Sequence, residues 1–304
     1  MTELLLHMIE KHKKVTEEGK VANYIPELSK ANPTDLGIYV LDNDGNEFFA
    51  GDYDKKFTVQ SISKVVSLML AILDNGEELV FSKVGMDPSG DPFNSIRKLE
   101  TSSRRKPYNP MINAGAIVVS SMIKGVDVKD KFNRLLDFFK LITEDPTLDL
   151  NSRVYLSETE TGNKNRSMGY FLKSENIIVG NVEEVLEIYF KQCSIDVTTK
   201  TIARLGLFLA NEGKLSTGEE IITPRITRIV KTLMVTCGMY DSSGEFAVRV
   251  GLPSKSGVGG GIVSVIPHKM GIGVYSPSLD KKGNPIAGIS LLEDLCNELK
   301  CRIF

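Results

Sequence analysis

Val59-Gln60-Ser61-Ile62-Ser63-Lys64, followed by Val65, Val66, Leu68, Met69, Leu70, Ile72 and Leu73, is the stretch whose reading decides the fold. A serine and a lysine three residues apart on a helix share one face, so the amine can reach the hydroxyl and take its proton once it is neutral. The residues after Lys64 are apolar on every side, which predicts a helix running through the core with its first turn buried as well. Burial disfavours the ammonium form and brings the lysine toward the range of a general base.

The spacing alone is not selective. Ser95-Lys98, Ser103-Lys106, Ser121-Lys124 and Ser278-Lys281 repeat it. Ser95 and Ser103 lie in a stretch rich in Arg, Lys and Pro, and Ser278 lies in a Pro- and Lys-rich turn, so these pairs are expected to be solvated. Ser121 follows an apolar run, but Lys124 precedes a glycine and suits a helix-terminal cation. For Ser61 itself, a helix N-cap is the competing role.

The chain has 304 residues, 41% hydrophobic and 25% charged, enough for a large core in two lobes. Its 37 basic and 39 acidic residues leave a net charge of −2, which offers no footprint for nucleic acid. Met1 to Lys14 carries only the short apolar run Leu4-Leu5-Leu6 and no cleavage pattern, and no later stretch approaches the roughly 20 apolar residues of a membrane span. A cytoplasmic protein without a membrane partner is expected. Cys193, Cys237, Cys296 and Cys301 form no Cys-x-x-Cys pair, so neither a zinc site nor a disulfide framework is indicated, and no metal or cofactor is expected. His7, His12 and His268 lack a catalytic setting. If the chain is a serine hydrolase, lysine or tyrosine must move the proton.

Leu36 to Leu41, the turn Asp42-Asn43-Asp44-Gly45, and Glu47 to Ala50 read as a hairpin. A second is read from Ser256 to Ile266 and Met270 to Tyr275 across Pro267-His268-Lys269. Residues 2 to 19 and 289 to 300 read as amphipathic terminal helices, and helices are expected near 61–74, 112–124, 128–143, 182–192 and 197–212. The expected fold class is α+β: hairpins from both ends of the chain pair into one antiparallel sheet flanked by terminal helices, with a mostly helical second lobe. Residues 1–60 and 215–304 form the first lobe and 61–214 the second, with an active site between them. Asp87 to Pro110 is read as the least ordered stretch and its basic cluster, Arg97, Lys98, Arg104, Arg105 and Lys106, as solvated.

Read together, several segments resemble the serine-dependent glutaminase family, L-glutamine amidohydrolases on a serine β-lactamase-like fold. They are Tyr24 to Leu28, Val59 to Lys64, Pro88-Ser89-Gly90 with Phe93-Asn94-Ser95, Asn109 to Ala116, Ser157-Glu158 with Asn165, Tyr189-Phe190 with Gln192-Cys193-Ser194, Cys237 to Asp241, and Lys255 to Gly261. The resemblance implies that Ser61 is acylated, that Lys64 is its general base, and that Tyr240 relays protons and contacts substrate. It implies an oxyanion hole from the N–H groups of Ser61 and Val258, and a hold on the amino-acid end of glutamine by Tyr24, Asn113, Glu158, Asn165 and Tyr189. It also suggests a homodimer or homotetramer.

The residue chemistry suits a zwitterionic amide: a carboxylate for the α-ammonium, and amide N–H and hydroxyl donors for the α-carboxylate. Taken singly, Asn113 also suits a helix cap, Glu158 a surface charge and Tyr189 a half-buried core aromatic. The glycines after Val258 point to close approach of a ligand or another backbone. Lys255-Ser256-Gly257 resembles the Lys-Thr-Gly of β-lactamases, but no Ser-Asp-Asn is found; the nearest stretch is Ser174-Glu175-Asn176. Hydrolysis of β-lactams or D-peptides on the same fold, and a catalytically silent amino-acid sensor, are the alternative readings.

Overall fold

Asp42 closes the first hairpin with its own side chain, whose Oδ1 accepts from the N–H groups of Asp44 and Asn46 at 3.0 and 2.8 Å, while Gly45 takes the left-handed conformation at φ +81°. The computed structural model describes residues 1–101 and 105–304; Ser103 and Arg104 lie outside the described residues. From the N-terminus, α1 (Thr2–His12) leads to β1 (Gly37–Asp42), β2 (Glu47–Gly51), the short β3 (Phe57–Thr58) and α2 (Ser63–Asn75). The middle of the chain runs through α3 (Glu77–Lys83), α4 (Arg97–Thr101), α5 (Asn113–Ser121), α6 (Val128–Thr143), β4 (Asp149–Leu150), α7 (Ser152–Thr161), α8 (Asn163–Ser174), α9 (Val182–Cys193), β5 (Ile195–Val197) and α10 (Thr199–Ala210). The last part is α11 (Pro224–Cys237), α12 (Ser243–Arg249), β6 (Ser254–Ser256), β7 (Gly261–Ile266), β8 (Met270–Tyr275) and α13 (Ile286–Leu299). Among the described residues no helix is long and apolar enough to cross a membrane.

Five strands form one antiparallel sheet in the order β2-β1-β8-β7-β6, so the two ends of the chain meet at its centre, where β1 pairs β8 from Gly37↔Tyr275 to Asp42↔Met270. The two-residue period decides what each face carries. Ile38, Val40, Ile262, Ile272 and Val274 turn toward α1 and α13, where they pack with Leu5, Met8, Leu292 and Leu295. On β8 the alternate positions, Gly271 and Gly273, lie against α10. A Cβ on Gly271 would stand 2.0 Å from Ala203 O, and one on Gly273 2.0 Å from Thr199 O. The helix backbone therefore lies directly on the strand. A larger core cluster joins α2 to α6, α10 and α11 through Val65, Met69, Phe139, Ile202 and Leu233.

Two expected elements differ in detail. The strand read over Ser256 to Ile266 is two antiparallel strands, β6 and β7, because Gly257 to Gly260 turn back on themselves: Gly257 N–H donates to Gly261 O, Gly260 N–H donates to Gly257 O, and Gly260 has φ +100°. The helix read over 2 to 19 ends at His12 and continues as a 3-10 segment to Glu18.

Replacing Gly271 with Ala forces the new methyl into the α10 backbone, where no side chain can yield. The expected loss is about 3 kcal/mol or more of unfolding free energy in urea denaturation, against a near-neutral effect for Gly244→Ala on the exposed face of α12, where a methyl group meets nothing within 4 Å.

Candidate active site

The entry to α2 is built from buried backbone. Val59 N–H donates to Ile195 O of β5, and Gln60 then takes φ +47°, a left-handed conformation costing a non-glycine residue on the order of 1–3 kcal/mol. Gln60 to Ile62 form one 3-10 turn before α2 begins. No side-chain cap is made there, so Ser61 is not an N-cap; instead its hydroxyl is directed at Lys64. Ser63 steadies the turn by donating to Gln60 O at 2.7 Å.

Lys64 is 0% exposed. Its Nζ lies 2.8 Å from Ser61 Oγ and donates to Asn113 Oδ1 at 2.8 Å. Burial lowers its pKa to about 8, with the surrounding Cys193 and Glu158 opposing the shift. The other pairs at the same spacing are arranged differently. Ser95 bonds Asp91, with Lys98 3.8 Å from the same carboxylate, and Ser121 donates to Val118 O while Lys124 is exposed. Ser103 lies outside the described residues. Ser278, expected to be solvated, is buried and donates to Thr16 O at 2.6 Å, because this turn packs under the segment that follows α1.

Asn113 opens α5 and divides its amide between two partners: Oδ1 accepts from Lys64, and Nδ2 donates to Asn165 Oδ1 at 3.1 Å. One Nδ2 hydrogen and the Asn165 amide hydrogens remain for an anion. Asn165 stands on α8, which Gly162 separates from α7; a Cβ on Gly162 would be 2.4 Å from the Phe190 ring. Glu158 on α7 is buried, bonded by Gln60 and close to Lys64. Burial raises its pKa to about 7, with the Gln60 hydrogen bond and the Lys64 charge acting against it. Tyr189 on α9 is also buried and bonds the Cys193 thiol. Tyr24 lies at the rim, its residue 50% exposed but its hydroxyl within electrostatic reach of Glu158 and Tyr240, and it lines a cavity of about 410 Å³ with Asn23, Phe93, Val258 and Gly283.

Tyr240 completes the group from the other side. Three residues beyond the end of α11 it takes φ +55°, and its hydroxyl bonds Ser61 and lies 3.4 Å from Ser256 O. Burial raises the phenol's pKa, so at neutral pH it is a donor. The turn between β6 and β7 rests on the Ser61 backbone: a Cβ on Gly257 would lie 2.9 Å from Val59 O and 3.3 Å from Ser61 N, and one on Gly259 2.4 Å from Thr58 O. This contact brings the Val258 backbone beside that of Ser61. Sequence reasoning missed Gln60, Phe93 and Cys193 as members of the site. Phe93, in the stretch read as least ordered, packs on Tyr240 with ring centroids 4.5 Å apart and planes tilted by 34°, and accepts from Asn113 N–H through its carbonyl. Among the described residues no group of three or more His, Cys, Asp or Glu is arranged to hold a metal ion.

A profile of the family described as Glutaminase matches residues 19–304. A glutaminase of Fusobacterium nucleatum is 71% identical over the full length of both chains, and glutaminase 2 of Clostridium perfringens is 55% identical over the full length of both. Among solved structures, the covalent complex between the Bacillus subtilis glutaminase YbgJ and 5-oxo-L-norleucine, formed by reaction with 6-diazo-5-oxo-L-norleucine, superposes with a TM-score of 0.92 at 37% identity, covering 100% of this chain and 99% of that one. The structure of Mglu in its glutamate form gives 0.94 at 34% identity, covering 100% of this chain and 69% of that one.

Ser61 Oγ has at 2.8 Å an amine that, when unprotonated, is placed to accept its proton. Labelling of Ser61 by a fluorophosphonate, followed by intact mass, is expected to slow about tenfold per pH unit below about 8 and to level off above. A rate constant unchanged between pH 6 and 9 would show that Lys64 is not the base.

Proposed function

We propose that this chain, which belongs to the glutaminase family, hydrolyses the side-chain amide of L-glutamine to L-glutamate and ammonia through an acyl-enzyme on Ser61. One observation carries the reading: a buried Ser61–Lys64–Asn113 chain with 2.8 Å links lies beside the carboxylate of Glu158. Neutral Lys64 takes the Ser61 proton as Oγ attacks the amide carbon, and the oxygen that becomes negative turns to the N–H groups of Ser61 and Val258. The carbon–nitrogen bond then breaks, with the proton passed from Lys64, through Tyr240, to the departing nitrogen. Water attacks the ester with Lys64 again as base, and the proton returns to Ser61 Oγ as glutamate leaves.

The amino-acid end of the substrate sets the specificity. Glu158 pairs with the α-ammonium, while Asn113, Asn165, Tyr189 and Tyr24 donate to the α-carboxylate. Cys193 lies behind this group; burial keeps it a thiol, so it packs against the site and does not compete as a nucleophile. The same reading places residues 1–60 and 215–304 in one lobe and 61–214 in the other, with the site between. It also has the chain working in the cytoplasm as a homodimer or homotetramer, which light scattering on the purified protein would test.

Ser61→Ala is expected to release no ammonia from glutamine while keeping a wild-type circular dichroism spectrum. Lys64→Ala is expected to lose about 10²–10⁴-fold in kcat, and the double variant no more than Ser61→Ala, since nucleophile and base act as a unit. Turnover by Ser61→Ala at the wild-type rate would exclude the acyl-enzyme.

Two ionisations set the pH profile; both lower activity as pH falls, but they act on different constants. Glu158 must be charged to bind an ammonium, so KM for glutamine rises as pH falls through about 7. Lys64 must be neutral to act as base, so kcat falls as pH drops below about 8. Glu158 and Lys64 interact, so the measured midpoints belong to the pair. Glu158→Gln is expected to remove the KM limb and to raise KM by about tenfold or more, measured by a coupled glutamate dehydrogenase assay from pH 6 to 9.

A further inference from the structure

Lys255 on β6 is a second lysine that is 0% exposed, and the reaction above does not use it. Its Nζ donates to Gly238 O at 2.9 Å and to Ser256 O at 2.6 Å, and it lies 4.2 Å from the centroid of the Tyr240 ring. These contacts surround one strained residue. Tyr240, at φ +55°, keeps that conformation only if its surroundings over-determine it. Gly238 lies two residues ahead of it, held against β6 so closely that a Cβ there would be 1.8 Å from Ser254 O. Ser243 Oγ donates to Tyr240 O at 2.9 Å, and Phe93 covers the ring.

The carbonyl of Ser256 has two claimants. Lys255 holds it at 2.6 Å, while the Tyr240 hydroxyl is 3.4 Å away and also bonds Ser61. With the lysine gone, Ser256 O would lack its short donor and would draw the phenol toward itself, away from Ser61. We propose that Lys255 is a positioning residue that acts through Tyr240, bridging the carbonyls of Gly238 and Ser256 so that the Tyr240 hydroxyl stays on Ser61. Burial and the nearby Lys64 hold the pKa of Lys255 well below its usual value. That does not weaken the bridge, because a neutral amine has two N–H donors and there are two carbonyls to satisfy.

The inference rests on the reading that Tyr240 serves Ser61, and the test separates the two. Steady-state kinetics with glutamine are measured for Lys255→Met, Tyr240→Phe and the double variant, together with thermal midpoints. Lys255→Met is expected to lower kcat about 10–100-fold with KM within about threefold. Its thermal midpoint is expected to fall by several degrees, since two buried carbonyls lose a donor, with the variant still fully folded at the assay temperature. In the Tyr240→Phe background the same substitution is expected to change kcat by less than about threefold, because the two act as a unit. Wild-type kcat in Lys255→Met would overturn the inference, as would losses that multiply in the double variant or a kcat that tracks the fraction folded. If Lys255→Met does not fold, Lys255→Gln keeps an amide donor and is expected to retain more activity than Lys255→Ala at equal stability; equal activities overturn the inference. Wild-type kcat in Tyr240→Phe would remove both this inference and the proton relay, whereas a damaged Tyr240→Phe beside an active Lys255→Met removes this inference alone.

Discussion

The structure depends on keeping an uncompensated amine inside its core. Lys64 is surrounded by the largest hydrophobic cluster, and among the described residues no carboxylate lies within ion-pair distance of it; the contacts at 2.8 Å are an amide oxygen and a hydroxyl. Such a group is tolerated because it can shed its proton, and under the proposed mechanism the neutral form is the one that acts. Glu158 is close enough to oppose the shift and is itself pushed toward neutrality. Burial thus tunes the two groups in opposite directions from their usual values, each toward the pH at which the other changes charge.

Around this amine the backbone is held in conformations that side chains disfavour. Gln60 and Tyr240 both have positive φ, on either side of Ser61. The first is fixed by β5 through Val59 and by the glycine turn against Ser61 N, the second by Phe93, Ser243 and Lys255. Strain held by neighbours is pre-organisation: no reorganisation is needed when charge develops on the substrate. The glycines at 257 and 259 belong to the same device, since side chains there would push the turn off the Ser61 backbone.

How much of this was legible depended on whether the signal was local. The hairpin at Asp42–Gly45, the core helix after Lys64 and the terminal helices follow from periodicity and turn chemistry, and they form the expected antiparallel sheet. α11 was not read, although Pro224 opens it and it packs on α2, and α7 and α8 were passed over because their polar faces dilute the apolar period. The strand through Ser256 broke at Gly257 to Gly260 because its glycines serve contact with Ser61, a partner almost 200 residues away in sequence. The burial of Ser278 was likewise invisible, being set by Thr16 at the other end of the chain.

By itself the sequence determined the pair Ser61–Lys64, the apolar helix that buries it, the exclusion of a histidine-based triad, and, through the order of its motifs, the family. Tertiary structure alone decided what surrounds that pair. Asn113, Glu158, Tyr189 and Tyr240 come from four separate segments, and only packing places a carboxylate, an amide and two phenols around one amine. The physical reason is that spacing along a helix fixes reach, whereas protonation is fixed by what surrounds a group, and those surroundings are assembled from residues distant in the chain.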